Sequence, residues 1–258
     1  MSPELGIPAP HSERAGDETL DRLAGDWWIY QLRSGHRYST DDVLVAWAAW
    51  HARPDAGRLL DLGAGIGSIG LLTLRLLAPG TRLLCLERLP VSVDLTRRSL
   101  ALNGIADRAE ARLGDLRDPG ALGAKERFDL VVANPPYVPP DRGWVSPHPQ
   151  RGAARFELCG DVFDYCQVVA RHLAPSGRFC FCFPFRDRRA RQALDEAGLA
   201  ALSVRPVVFR EGRQPHLALY VCGREGSTLE LAPLCVRGED GQRTPEHLAV
   251  LRELGIVA

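Results

Sequence analysis

The sequence predicts an α/β fold, doubly wound, with a mostly parallel sheet covered on both faces and ending in an antiparallel hairpin. Two observations carry this. Between residues 58 and 197, apolar runs of about five residues alternate with longer stretches of helical period, the pattern of strands buried on both faces. Beyond them, residues 203–210 and 216–221 are joined by Glu211-Gly212-Arg213-Gln214-Pro215, a link whose Gly and Pro mark a turn.

Taken in order, residues 1–25 are polar and rich in Pro, Gly and charge, and read as a flexible lead-in. Trp27–Leu32 is a short strand-like run ending at Arg33-Ser34-Gly35. Asp41 or Asp42 caps a helix through Val43, Leu44, Ala46, Trp47 and Trp50. Residues 58–62 form the first buried strand, and a Gly-rich turn leads to a helix through Leu71, Leu72, Leu74 and Leu77. The next strand is 82–87, and the following helix starts at Pro90, where proline suits a first turn, and runs to Leu102. Strands come next at 109–113 and 128–133. A long Pro/Arg loop then leads to a helix from Asp161 to about Leu173, a strand at 178–183 and a helix over 186–197. The domain so defined spans 26–223. Residues 224–258 read as an appendix in which Thr244-Pro245-Glu246 starts a small helix.

The 258 residues suffice for one large domain, and 45% apolar with 25% charged residues is a globular composition. Basic and acidic side chains number 32 each, so the formal net charge is zero. That balance counts against a nucleic-acid partner unless basic side chains gather on one face. The seven cysteines are odd in number, form no CxxC, and include Cys85, Cys180, Cys182 and Cys222 inside apolar runs. They fit buried free thiols, so no metal is expected. There is no signal pattern and no apolar run long enough for a membrane span, so no membrane partner is expected and the cytoplasm is the expected compartment. Nothing specifies an oligomer, and a monomer is compatible with every feature.

Doubly wound sheets bind ligands at the carboxyl ends of their strands. Those ends carry Asp61-Leu62-Gly63-Ala64-Gly65-Ile66-Gly67, then Glu87-Arg88, then Gly114-Asp115-Leu116, then Asn134. Glycines such as Gly63 and Gly65 let the backbone approach a ligand closely, Glu87 can accept from both ribose hydroxyls, and Asp115 can accept from an adenine amino group. Together they describe an adenosine-containing ligand. Gly65-Ile66-Gly67-Ser68-Ile69-Gly70 also satisfies the dinucleotide pattern G-x-G-x-x-G. Asp61 ahead of the glycines decides against it: a carboxylate there suits a ligand ammonium, directly or through water, and repels a pyrophosphate. S-adenosyl-L-methionine is therefore the expected cofactor.

Asn134-Pro135-Pro136-Tyr137 is the most specific feature and the expected catalytic group. A planar amino nitrogen is a poor nucleophile because its lone pair is delocalised. Two acceptors on its N–H groups, the Asn134 side-chain oxygen and the Pro135 carbonyl, favour rehybridisation toward a donor methyl. The prolines fix the loop and remove competing backbone donors. Tyr137 can stack on a flat substrate, and positioning does much of the catalysis.

This motif resembles the acceptor motif of class I amino-methyltransferases, which include adenine N6 enzymes and the protein-glutamine enzymes that modify release factors. A closer similarity adds Gln31-Leu32-Arg33-Ser34-Gly35-His36-Arg37-Tyr38-Ser39-Thr40-Asp41 upstream. It also adds Arg142-Gly143, Ser146-Pro147, Arg151 and Ala154-Arg155-Phe156-Glu157 downstream. Both stretches resemble the bacterial tRNA(Val) adenine N6-methyltransferases, which modify the adenine just 3′ of the anticodon, and the resemblance runs from residue 28 to 222. It implies a seven-stranded, Rossmann-like class I methyltransferase sheet, a tRNA substrate, and Tyr38 and Thr40 beside the methionine end of the cofactor. The glutamine enzymes usually carry a separate N-terminal helical domain and an acidic upstream motif, and neither is seen here.

Arg142, Arg151 and Arg155 are the expected RNA contacts, close behind the catalytic tyrosine. For Arg186, Arg188, Arg189 and Arg191, RNA contact and a solvated helix face are both open; Arg205, Arg210 and Arg213 lie near the hairpin. Trp27, Trp28, Trp47 and Trp50 are expected in the core. Other readings are amino-methylation of a protein glutamine, another nucleobase or a small molecule, a non-catalytic RNA-binding module, and a nucleotide-dependent oxidoreductase.

Overall fold

The computed structural model describes residues 16–257. Strands β1 (Glu18–Ala24) and β2 (Trp27–Leu32) form a two-stranded antiparallel sheet turned by Gly25, which sits at φ +57°. So the polar lead-in is in part a strand, and the rest of that reading lies outside the described residues. Leu20, Leu23 and Ala24 face inward, and a bulge between Arg22 and Ala24 lets two successive residues do so.

The main elements follow: α1 (Thr40–Ala52), β3 (Arg58–Leu62), α2 (Ser68–Leu76), β4 (Arg82–Glu87), α3 (Pro90–Leu102), β5 (Ala109–Leu113) and β6 (Phe128–Ala133). Then come α4 (Pro149–Arg155), α5 (Val162–His172), β7 (Leu173–Pro184), α6 (Arg189–Glu196), β8 (Ala200–Val208) and β9 (Leu217–Gly223). Two-residue strands β10 (Leu229–Glu230) and β11 (Leu234–Cys235) and helix α7 (Pro245–Glu253) complete the chain. The hairpin hangs on α3, where the Asn103 side chain bonds both the N–H and the carbonyl of Trp28 and Arg98 pairs with Glu18.

The sheet runs β10-β8-β9-β7-β6-β3-β4-β5, with β11 also on β8, so among the described residues it has nine strands where seven were expected. All pairings are parallel except those of β9, which is antiparallel to both β7 and β8. The hairpin therefore does not end the sheet. β9 folds back between β7 and β8, and the short parallel strands lie along the free edge of β8. Parts of the 224–257 segment pack on this sheet, through β10 and β11. On α7, Val250 and Leu251 join the core, as does Leu254 beyond it, and Glu253 accepts from Trp47 Nε1 at 2.8 Å.

Strand parity sorts side chains between two apolar layers. Leu60, Leu62, Val131, Ala133, Phe179, Phe181 and Phe183 face α5 and α6. Leu59, Leu130, Val132, Cys180 and Cys182 join the layer containing α1 and α2 residues. The four central tryptophans pack at the margin of that second layer, and all seven cysteines are free thiols.

Candidate active site

β3 pairs with β4 on one side and β6 on the other, so the chain changes winding direction between β3 and β6, where doubly wound sheets open a crevice. A cleft lies there. Its lining includes Gly63, Gly65, Glu87, Arg88, Leu116, Asn134 and Pro136 among the expected residues. Gly65 has φ +56° and open space where a Cβ would stand, which leaves its backbone bare toward the cleft. A Cβ on Gly63 would strike the buried Tyr165 hydroxyl.

Glu87 holds the loop as well as facing the cleft. Its Oε2 accepts from Gly65 N at 2.8 Å and its Oε1 from Leu89 N at 2.7 Å. A carboxylate has about four acceptor positions, so about two remain for ribose hydroxyls. Burial raises its pKa.

Asp61 departs from expectation. Parity turns its side chain away from the cleft toward α2, where Oδ2 accepts from Gly70 N at 2.8 Å and Oδ1 has no protein partner. Burial pushes its pKa well up. Besides Glu87, the carboxylate that faces the cleft is Asp42, 3% exposed. Its Oδ2 accepts from Ser68 Oγ at 2.9 Å and Ser39 N at 3.2 Å, and its Oδ1 from Asn134 Nδ2 at 3.0 Å. The sequence offered Asp42 only as a helix cap, and nothing in its spacing signalled more.

Tyr38 and Thr40 are not in the lining. The Tyr38 hydroxyl turns to the Arg22 carbonyl at 3.4 Å, packing the ring beside the hairpin, and Thr40 is the first residue of α1. Asp115 is also outside the lining: Arg117 and Arg88 hold its carboxylate at 2.7 and 3.1 Å, with its pKa lowered to about 2, chiefly by Arg117. Its neighbours Gly114 and Leu116 face the cleft instead.

On the acceptor side, Asn134 directly follows β6, and its Oδ1 accepts from Cys182 Sγ at 3.2 Å. The Tyr137 ring stands edge-on to Phe183 at 6.2 Å. The segment read as a Pro/Arg loop contains α4, which sequence reasoning missed because it buries only Gln150 and Gly152 and so has no apolar stripe. Its end is stitched to the Asn-Pro-Pro-Tyr loop, with Val138 N donating to Arg155 O at 3.2 Å and Glu157 N to Val138 O at 3.0 Å. That places Arg155 one residue from Tyr137 in space. Arg142, Arg151 and Arg155 are exposed, as is Trp144 at 78%. Gln150 lines the cleft from α4 with its Oε1 unpartnered.

Arg189 is no free cation. It bonds Glu157 at 2.6 Å, Asp187 at 2.7 Å and the Tyr137 carbonyl at 3.1 Å, so it braces the Asn-Pro-Pro-Tyr loop from α6.

The cleft fits S-adenosyl-L-methionine. Glu87 keeps acceptor positions that ribose hydroxyls can use, Gly65 leaves room at the backbone, and Asp42 sets a carboxylate in the cleft wall that suits a cationic group. Among the described residues no group of three or more His, Cys, Asp or Glu side chains is arranged to hold a metal ion, and no helix is long and apolar enough to cross a membrane.

Residues 44–142 match the methyltransferase small domain family. A tRNA1(Val) (adenine(37)-N6)-methyltransferase of Shewanella amazonensis is 30% identical over 221 residues, covering 85% of this chain and 91% of that protein. One from Tolumonas auensis is 26% identical, over 87% of this chain and 92% of that protein. A release factor glutamine methyltransferase of Cereibacter sphaeroides is 33% identical but over 57% of this chain and 54% of that protein. Among solved structures, a predicted O-methyltransferase from Agrobacterium tumefaciens shares the fold with a TM-score of 0.63 at 20% identity, over 85% of this chain and 99% of that one. The relatives that span the chain and the Asn-Pro-Pro-Tyr cleft agree: this chain belongs to the tRNA1(Val) (adenine(37)-N6)-methyltransferase family.

Proposed function

We propose that the protein transfers the methyl group of S-adenosyl-L-methionine to the exocyclic N6 of an adenine in tRNA, beside the anticodon. The observation that carries this is the meeting of Asn134 and Pro136 with Gly65 and Glu87 in one cleft, which brings an amino-group acceptor motif to a nucleoside site. The cofactor supplies an electrophilic methyl on a positively charged sulfur. Glu87 receives the ribose hydroxyls, and Asp42 favours the cationic end. Asn134 Oδ1 accepts from an N6–H of the target adenine, and Tyr137 holds the splayed base. Arg142, Arg151 and Arg155 meet phosphates on the exposed side; Arg151 and Arg155 are one helical turn apart on α4. They give a neutral chain the local basic face that RNA requires.

The test is methyl transfer to total tRNA lacking the modification, followed by nucleoside mass spectrometry. N6-methyladenosine that disappears in Asn134→Ala is the expected result. Label in protein rather than RNA would favour a glutamine acceptor, the activity named for the Cereibacter relative. Cofactor binding without any methylated nucleoside would overturn the tRNA reading.

A further inference from the structure

We infer that Asp42 is a positioning residue for the acceptor: its carboxylate fixes the Asn134 amide so that Oδ1 faces the substrate amino group, and strengthens that oxygen as an acceptor. The inference rests on amino-methyl transfer at Asn134 and deepens it.

An asparagine amide is nearly isosteric end for end, and a flipped Asn134 would present donors to an amino group that needs an acceptor. A carboxylate only accepts, so the neighbour at 3.0 Å from Asn134 Nδ2 admits one orientation. Asp42 is itself fixed, by Ser68 Oγ at 2.9 Å from α2 and by Ser39 N at 3.2 Å at the start of α1. The opposite side of the amide agrees. Cys182 approaches Oδ1 at 3.2 Å, and burial raises its pKa well above the ordinary value, so the sulfur keeps its hydrogen and donates. A thiol is a weak donor and takes one of two lone pairs, leaving the other free.

Parity produces the arrangement. Asn134 follows Val132 by two residues, and Cys182 follows Cys180 by two, so both point to the layer that contains α1. Asp42 is almost fully buried and takes part in no ion pair among the described residues, so its charge bears on its hydrogen-bond donors. A negative partner on the amide N–H shifts electron density toward Oδ1, the polarisation expected of hydrogen bonds in series at low dielectric.

The chain has only two asparagines, Asn103 and Asn134, so protein labelled with [15N]asparagine shows two side-chain NH2 pairs. Asn103 is held by Trp28 and Ser99 and reports whether the fold is intact. In the unaltered protein the Asn134 pair is expected downfield and protected from exchange. In Asp42→Ala it should move to the ordinary amide position while the Asn103 pair stays. Unmoved Asn134 signals beside an intact Asn103 pair would overturn the inference.

Single-turnover transfer to tRNA supplies the second readout. At saturating cofactor and tRNA, Asp42→Asn should slow transfer by about 10- to 100-fold with tRNA affinity unchanged, the usual scale for a group that orients a reacting side chain. The reciprocal exchange Asp42→Asn with Asn134→Asp restores a carboxylate–amide pair and should be faster than either single variant. A defect abolished by more cofactor would assign Asp42 to cofactor binding alone and refute the inference. Failure of the unaltered protein to methylate tRNA would instead count against the proposed substrate and leave the amide result standing.

Discussion

Arg189 separates a brace from an RNA contact, and replacing it by alanine tells them apart. The side chain is 28% exposed and joins α6 to Glu157, which is 9% exposed, to Asp187, and to the carbonyl of Tyr137. Removing it strands a nearly buried carboxylate and a loop carbonyl. Charged hydrogen bonds of this kind contribute about 2 to 3 kcal/mol once partial exposure is discounted. For a domain of this size that lowers Tm by roughly 4 to 6 °C. Tyr137 loses its anchor, and a displacement of about 1 Å in an acceptor loop costs about 100-fold in rate. Binding of tRNA should change little, because two carboxylates already neutralise the cation. The assays are thermal unfolding, single-turnover methyl transfer, and tRNA affinity between low and moderate salt. Arg189→Lys keeps the charge but loses the planar fork, so it should fall between the two. An unchanged Tm with a salt slope reduced by about one would make Arg189 a phosphate contact and refute the brace.

Arg155→Ala should weaken tRNA binding and reduce its salt slope by about one while cofactor affinity stays intact; unchanged tRNA affinity would defeat the assignment. Burial and neighbouring Asp42 raise the Asp41 pKa to about 7, above its value in the unfolded chain. The folded state then holds that proton longer, so its stabilising effect is complete below about pH 4 and is lost as pH rises through about 7. Asp41→Asn should therefore raise Tm relative to the parent by an amount that grows from pH 5 to pH 8, and a difference constant with pH would contradict this. Leu251→Ala, on a helix read from sequence as an appendix, should cost about 2 to 5 kcal/mol in denaturant unfolding. A loss of less than about 0.5 kcal/mol would mean that α7 is not part of the cooperative unit.

The central strands were legible as short, regularly spaced apolar runs: residues 58–62, 82–87, 109–113 and 128–133 are strands in the structure with the same bounds, the edge strand 109–113 alternating apolar with charged residues. The hidden parts had weaker signals. In β1 the charges of Glu18, Asp21 and Arg22 mask three inward residues, and two-residue strands such as β10 are too short to show a period. At the site, position along a strand pointed to Glu87 and Asn134, and both line the cleft. It did not tell which way Asp61 points, since a strand-end acid on the α2 side carries the same sequence signature as one facing the cleft. Asp115 met competition from Arg117, two residues on, and Asp42 reached the site only through packing of α1.

The two short strands on β8 bear on how this protein avoids edge-to-edge pairing while it folds. β8 would otherwise present a long open edge, interrupted only by Pro206, and open edges pair with other chains. Leu229 and Glu230 cover one stretch and Leu234 and Cys235 another, on either side of that proline. The cover follows β8 and β9 in the chain, so during synthesis the edge exists before its guard does. Aggregation of nascent or truncated chains should accordingly be governed by how soon residues 229–235 dock, a liability separate from the stability of the finished domain.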